Sequence, residues 1–313
     1  MSDAFEPELL ESSTGARLAV RIREAADPAR GIVMVHHGMA EHGGRYARFA
    51  DFLSERGFHV SAHDHRGHGR TEADDAERGV FAARNGWDKV IEDAVFLQHH
   101  LQERFPDLPL IVFGHSMGGV TGFNHAMTTH AEIAGAAVWN ANMAIGGLKG
   151  VMRLILAAES LTQKTTEPDS WLRAITFNSW GKQVEKGGMR EAWLSRIPEE
   201  VQAYHDDPDT GWAASISMWR DLLTGVERAE SHDRLAMMRK DLPIHLAAGG
   251  ADPSTMNGKA MKTFASRLYN ARFTNVTMRF DPQGRHETLN DIGREQAMAD
   301  FADWAGRVCA QAG

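Results

Sequence analysis

Short apolar runs alternate along this chain with longer stretches of helical spacing. Leu18–Ile22 (Leu-Ala-Val-Arg-Ile) alternates and predicts a strand. A turn at Thr14-Gly15 precedes it, with Glu8–Ser12 as its hairpin partner. Asp27–Gly31 reads as a connector, and Ile32–His36 as a continuous apolar strand buried on both faces. Tyr46, Phe49, Ala50 and Leu53 share one face of a helix over Tyr46–Arg56, which Gly57 stops. Phe58–Ala62 is the next strand, and Gly86–Phe105 contains a helix with Val90, Ala94, Leu97 and Leu101 on one face. Pro106 and Pro109 separate it from Leu110–Phe113, a further strand buried on both faces. A sharp turn at Gly114–Gly118, a helix over Val120–Met127 and a strand over Ala134–Asn140 follow.

The rhythm then breaks. From Asn142 to Asp233 the pattern is mostly helical, with loops at Thr165–Ser170, Lys186–Gly188 and Asp206–Gly211. Five of the eight tryptophans fall here: Trp171, Trp180, Trp193, Trp212 and Trp219. Leu148, Val151, Met152 and Ile155 recur at helical spacing and predict one apolar face, a candidate wall for a substrate. Alternation resumes with a strand at Leu242–Ala248, a helix within Ser254–Leu268, a strand at Val276–Phe280 and a closing helix over Asp291–Val308. Repeated strand–helix units mean parallel strands joined by right-handed crossovers. The expected fold is therefore α/β, a mostly parallel central sheet with helices on both faces. Its two halves, residues 1–141 and 234–313, are interrupted by a helical cap over residues 142–233.

Composition narrows the function. The 313 residues carry a formal charge of −8 with no basic block, which argues against a nucleic-acid partner. Cys309 is the only cysteine, so no disulfide framework exists; near the end of a helix it reads as an inert thiol. The first residues show no basic-then-apolar signal, and no apolar run approaches membrane-spanning length. A soluble cytoplasmic protein is expected.

Chemistry gathers at the ends of the parallel strands, the edge where open α/β sheets bind ligands. Gly114-His-Ser-Met-Gly118 lies between a buried strand and a helix, the context in which Gly-x-Ser-x-Gly lifts a serine clear of the sheet. Asp252 follows the Leu242–Ala248 strand and His286 the last strand. The order Ser116, Asp252, His286 is that expected for a nucleophile, an acid and a base in this architecture. Ser116 would attack, His286 would carry its proton, and Asp252 would hold the imidazole tautomer. Asp281 is the rival acid, but it stands too close along the chain to His286. Among sixteen histidines, His205, His232 and His245 suit packed or surface roles. An oxyanion hole needs two main-chain N–H groups; Met117 and Met39 are the expected donors. Asp64-His-Arg-Gly-His-Gly69 reads as a structural turn tied by Asp64 and Arg66, because His65 and His68 have no Cys or Glu at ligand spacing. No metal or cofactor is expected.

Four segments, His37-Gly-Met-Ala-Glu-His-Gly-Gly-Arg-Tyr46, Asp64–Gly69, Gly114–Gly118 and Gly284-Arg-His-Glu287, resemble the α/β-hydrolases of the monoacylglycerol lipase and lysophospholipase group, also known as serine aminopeptidase-like. Gly249–Pro253 with Asn257-Gly258 is similar to bacterial lysophospholipases. The resemblance covers about Gly31–Asn140 and Leu242–Val308, and only loosely the cap. It implies a serine ester hydrolase acting on a lipid monoester through an acyl-enzyme. The apolar face of Leu148, Val151, Met152 and Ile155 could close on an acyl chain or rest transiently on a membrane surface. Three alternatives stand beside this reading. The first is a broad-specificity carboxylesterase. The second is an aminopeptidase, with Glu159, Glu185 or Glu191 anchoring a substrate amine. The third is a dead scaffold, against which the intact Ser116, Asp252 and His286 argue. Epoxide hydrolases and dehalogenases carry Asp at the elbow.

Overall fold

A computed structural model of the chain describes residues 5–26, 28–167, 171–184 and 189–312. Asp27, Pro168–Ser170 and Glu185–Gly188, which fall in an expected connector and two expected loops, lie outside the described residues. Eight strands form one sheet: β1 (Glu8–Glu11), β2 (Arg17–Arg23), β3 (Gly31–His36), β4 (Phe58–His63), β5 (Leu110–His115), β6 (Gly135–Trp139), β7 (Ile244–Gly249) and β8 (Val276–Asp281). Their order is β1-β2-β4-β3-β5-β6-β7-β8. β1 and β2 pair antiparallel, as does β2 with β4; every other pairing is parallel. This is the mostly parallel sheet that the alternation predicts.

The parallel strands bury both faces, and their residues divide with period two. Ile32, Met34, Leu110 and Val112 face one core; Val33, Val35, Ile111 and Phe113 face the other. The first core is closed by α2 (Gly86–Arg104), α3 (Met117–Thr129) and α10 (Lys259–Asn270). The second is closed by α1 (Ala47–Ser54) and α11 (Arg294–Ala312). Cys309 is buried in that second core, and burial pushes its thiol up to about 11.

Residues 142–233 carry α4 (Leu148–Glu159), α5 (Trp171–Ile175), α6 (Phe177–Val184), α7 (Pro198–Asp206) and α8 (Ile216–Glu230), and α9 (His232–Met237) begins there. Within this segment, α6 packs against the turn after β7. α8 instead packs against α2 and α3, and its Trp219, Leu223 and Val226 join the first core.

Register aligns the strand ends. His36 pairs with Gly114, His115 with Trp139 and Gly249 with Asp281. The turns after β3, β5, β6, β7 and β8 therefore open on one edge of the sheet. No helix among the described residues is long and apolar enough to cross a membrane.

Candidate active site

The turn around Ser116 is tighter than its sequence suggests. Gly114 and His115 still belong to β5, and α3 begins at Met117, three residues before the expected start. Ser116 alone makes the reversal, at φ 56° and ψ −122°. Such a backbone is strained for a residue with a Cβ and persists only where its surroundings hold it. The glycines supply the room: a Cβ on Gly114 would meet the Gly118 carbonyl oxygen at 2.1 Å, and one on Gly118 the His36 carbonyl oxygen at 2.0 Å. The turn after β3 packs beside it, where a Cβ on Gly38 would lie 3.3 Å from the Ser116 Cβ. The N–H groups of Met39 and Met117 donate to no protein acceptor among the described residues. Met117 opens α3, where main-chain N–H groups have no intrahelical partner.

Asp252 and His286 meet across β7 and β8. The His286 Nδ1 stands 3.0 Å from Asp252 Oδ2. It also stands 2.8 Å from the Ser254 hydroxyl, which donates to Asp252 Oδ1 at 2.6 Å. With that proton committed, Ser254 Oγ can only accept from Nδ1–H, so the imidazole N–H is shared between Asp252 and Ser254. Thr255 Oγ1 and Asn140 Nδ2 complete the shell of Asp252 at 2.9 and 3.2 Å. Asn140 is held in turn by Thr288. Burial opposes ionisation of Asp252, but the facing His286 and these donors outweigh it and hold the carboxyl below its ordinary range. Asp281 is engaged elsewhere, 3.4 Å from Arg196 and capping its own turn through Gln283 N–H.

Ser116 and His286 are not hydrogen-bonded to each other in this structure. His115 links their two loops: its ring lies 4.8 Å from that of His286, and its Nε2–H donates to the His286 carbonyl at 3.0 Å. The segment around Trp193 covers the other side of His286. The Trp193 ring is 4.7 Å away, and its carbonyl accepts from His286 N–H at 3.3 Å.

Below these loops lies an ion network that the sequence motifs contain without announcing. Glu41 accepts from Gly38 N–H at 2.5 Å and from Tyr46 hydroxyl at 3.0 Å. Arg45 bonds Glu41 at 2.6 Å and grips Glu287 with two bonds of 2.6 and 2.7 Å. His115 Nδ1 stands 3.5 Å from Glu41. Burial would raise both carboxyls, yet His115 and Arg45 hold Glu41 far below the usual range, and Arg45 lowers Glu287. Burial also works against a charged His115, but Glu41 reverses that and raises its pKa. One network thus ties the turn bearing Met39 to the residue before Ser116 and the residue after His286.

Ser116 opens on a cavity of about 330 Å³. Met39, Met117, Asn140 and Ser254 form its floor, and Leu148, Val151, Met152 and Ile155 of α4 line its wall. α5, α6 and α8 add Leu172, Phe177, Trp180 and Leu223. Glu159 and Glu191 do not line it, and Glu185 lies outside the described residues. Glu191 instead pairs with Arg190, and His205 stands 3.6 Å from it. His245 sits inside β7 and accepts from the Trp139 indole at 2.9 Å; His232 is exposed.

Asp64 and Arg66 tie the Asp64–Gly69 turn to its surroundings. Asp64 pairs with Arg21 at 2.7 Å and accepts from the N–H groups of Gly43 and Arg70. Arg66 donates to the Phe81 carbonyl at 2.7 Å and pairs with Asp75.

A family model described as serine aminopeptidase, S33, matches residues 27–293. Human monoglyceride lipase is 30% identical over 245 residues, covering 78% of this chain and 72% of its own. Monoacylglycerol lipase of Mycolicibacterium smegmatis is 27% identical and covers 93% of both chains. A thermostable carboxyl esterase from Bacillus coagulans, solved with glycerol, superposes with a TM-score of 0.85 at 25% identity, covering 98% of this chain and all of its own. With its elbow, its sheet order and this match over most of its length, the chain belongs to the serine aminopeptidase S33 family of α/β-hydrolases.

Proposed function

We propose that the protein is a serine hydrolase that cleaves lipid monoesters, of monoacylglycerol or lysophospholipid type, through an acyl-enzyme. The observation that carries this reading is the strained Ser116 elbow at the floor of a large apolar cavity. An acyl chain fits such walls, while the polar groups gather at one end, where the ester would react. The monoacylglycerol lipases among the relatives and the glycerol-bound esterase support the same substrate class.

In the proposed reaction His286 Nε2 takes the Ser116 proton as Oγ attacks the ester carbonyl. Asp252 and Ser254 hold the Nδ1–H tautomer and steady the imidazolium. The N–H groups of Met39 and Met117 receive the developing oxyanion. Collapse breaks the ester C–O bond, and His286 protonates the leaving alcohol. Water, deprotonated by His286, then attacks the acyl-enzyme, releasing the fatty acid and the Ser116 hydroxyl. Because Ser116 and His286 are not bonded in this structure, the reading expects their contact to form with substrate bound.

We read residues 142–233 as the cap that selects the acyl chain. Its rim exposes Leu148, Val151, Leu154, Leu161, Trp171 and Ile175, with Leu161 87% and Leu154 72% exposed. Exposed apolar side chains of this kind suit transient contact with a lipid surface. A peptidase would need an acid for the substrate amine, and neither Glu159 nor Glu191 faces the cavity.

A fluorophosphonate probe should label wild-type protein at Ser116, and Ser116→Ala should neither label nor hydrolyse p-nitrophenyl esters. Labelling of that variant at the wild-type rate would overturn the assignment. Faster turnover of an aminoacyl-anilide than of any ester would transfer the protein to the peptidase reading.

A further inference from the structure

Beside the turn that carries Met39, six imidazoles share one buried space: His36, His37, His63, His65, His68 and His125. His36 and His63 end the adjacent parallel strands β3 and β4, and His65 follows two residues later. The ring centroids of these three stand 5.1, 5.4 and 4.7 Å apart. Their residues are 0%, 1% and 1% exposed. Nδ1 of His36, Nδ1 of His63 and both nitrogens of His65 have no hydrogen-bond partner among the described residues. Buried polar atoms are nearly always paired, so this concentration of unpaired nitrogens needs a physical account. The Glu41–Arg45–Glu287 network, also largely buried, is fully paired and needs none. One ring nitrogen from each of the three residues lies within 4.8 Å of the other two.

We propose that His36, His63 and His65 form a binding site for one divalent transition-metal ion of the zinc type. Imidazole is a good ligand for such ions, and three imidazoles leave a fourth position for water. Zinc–nitrogen bonds of about 2.0–2.1 Å would require each ring to draw in by less than about 1 Å, within the swing of its side-chain torsions. His36 Nε2 lies 3.3 Å from His125 Nδ1, the outer bond that orients a ligating imidazole. None of the three lines the Ser116 cavity, so the ion plays no part in ester chemistry. It would clamp the end of β3 to the end of β4 and stiffen the turn that presents Met39. Spacing along the sequence hides this site because its ligands come from the ends of two neighbouring strands and the turn after one of them.

The test uses the full chain, folded in the presence of zinc or cobalt(II) and freed of loose metal by gel filtration. Metal content, cobalt d–d absorption and melting temperature are then measured. The expected result is about one metal per chain, visible bands of a near-tetrahedral cobalt site, and a melting temperature several degrees above that of chelator-treated protein. His36→Gln and His65→Gln should each lose the bound metal and the bands, while the exposed His232→Gln should keep both. Circular dichroism checks that each variant is folded, and if one is not, the wild-type measurement decides alone. Wild-type protein with no metal above background, no cobalt bands and an unchanged melting temperature overturns the proposal. So does metal held equally well by folded His65→Gln, which would place the ion elsewhere.

Discussion

The two sides of the Ser116 cavity are held by different forces. On the sheet side, Asp252, His286, Ser254, Asn140, Glu41, Arg45 and Glu287 are buried or nearly so, and each makes directional bonds to its neighbours. On the helical side, α4, α5, α6 and α8 offer apolar surface, and Leu148 and Val151 remain about half exposed. Directional bonds to buried charges set positions to a fraction of an ångström and lose heavily when one partner goes. Apolar contacts set volume and area and accept replacement by other apolar groups. The first side is suited to chemistry, and the second to choosing among similar chains.

Breaking the sheet side should therefore cost more than breaking the helical side. The largest loss is expected from Asp252→Asn, which favours the wrong imidazole tautomer. Turnover should fall about 10⁴-fold while the circular dichroism spectrum is unchanged. Near-wild-type turnover would move the acid's role to another residue.

Next comes Arg45→Met, which strands two buried carboxylates. Urea unfolding should show a loss of about 3–5 kcal/mol. The triple variant Glu41→Gln, Arg45→Met, Glu287→Gln should recover much of that stability, because no charge is then left unpaired. A triple variant no more stable than Arg45→Met would show that the network acts through packing instead.

Ser254→Ala removes one of two acceptors from the His286 Nδ1–H and leaves Asp252 in place. Turnover should fall by about tenfold, as for the loss of one hydrogen bond to a charged group, with KM unchanged. Ser254→Thr, which keeps the hydroxyl, should restore part of it. A change confined to KM would make Ser254 a contact for substrate alone.

On the helical side, Met152→Ser and Ile155→Ser should act through the substrate. The effect on kcat/KM should grow with acyl length, by at most about 1–3 kcal/mol. Measured over graded p-nitrophenyl esters, a uniform loss that follows the melting temperature would reduce α4 to a packing element and dissolve the contrast between the two sides.

Legibility in the sequence follows the same division. Strands such as Ile32–His36 and Leu110–Phe113 were readable because a strand buried on both faces must be apolar throughout. Ser116, Asp252 and His286 could be placed at one edge of the sheet because each follows a recognisable strand. Met152 and Ile155 were readable as one helical face. Ser254 was not, since a serine two residues after an aspartate also caps an ordinary turn, as its N–H bond to Asp252 shows. Glu41 and Glu287 are far apart in the chain and meet only through Arg45. The covering of His286 by Trp193 likewise depends on a segment far away in the chain.

The sequence by itself determined periodicity, the order of elements, the elbow and the residue types at the strand ends, because these depend on local sterics and on burial repeated over a few residues. Tertiary structure decided which strand ends share an edge, that Ser116 alone turns the chain between β5 and α3, that α8 joins the core, and which polar groups share a proton or a charge. Those outcomes rest on hydrogen bonds and ion pairs between distant residues, whose strength depends on distance and on the exclusion of water, and neither is written in spacing along the chain.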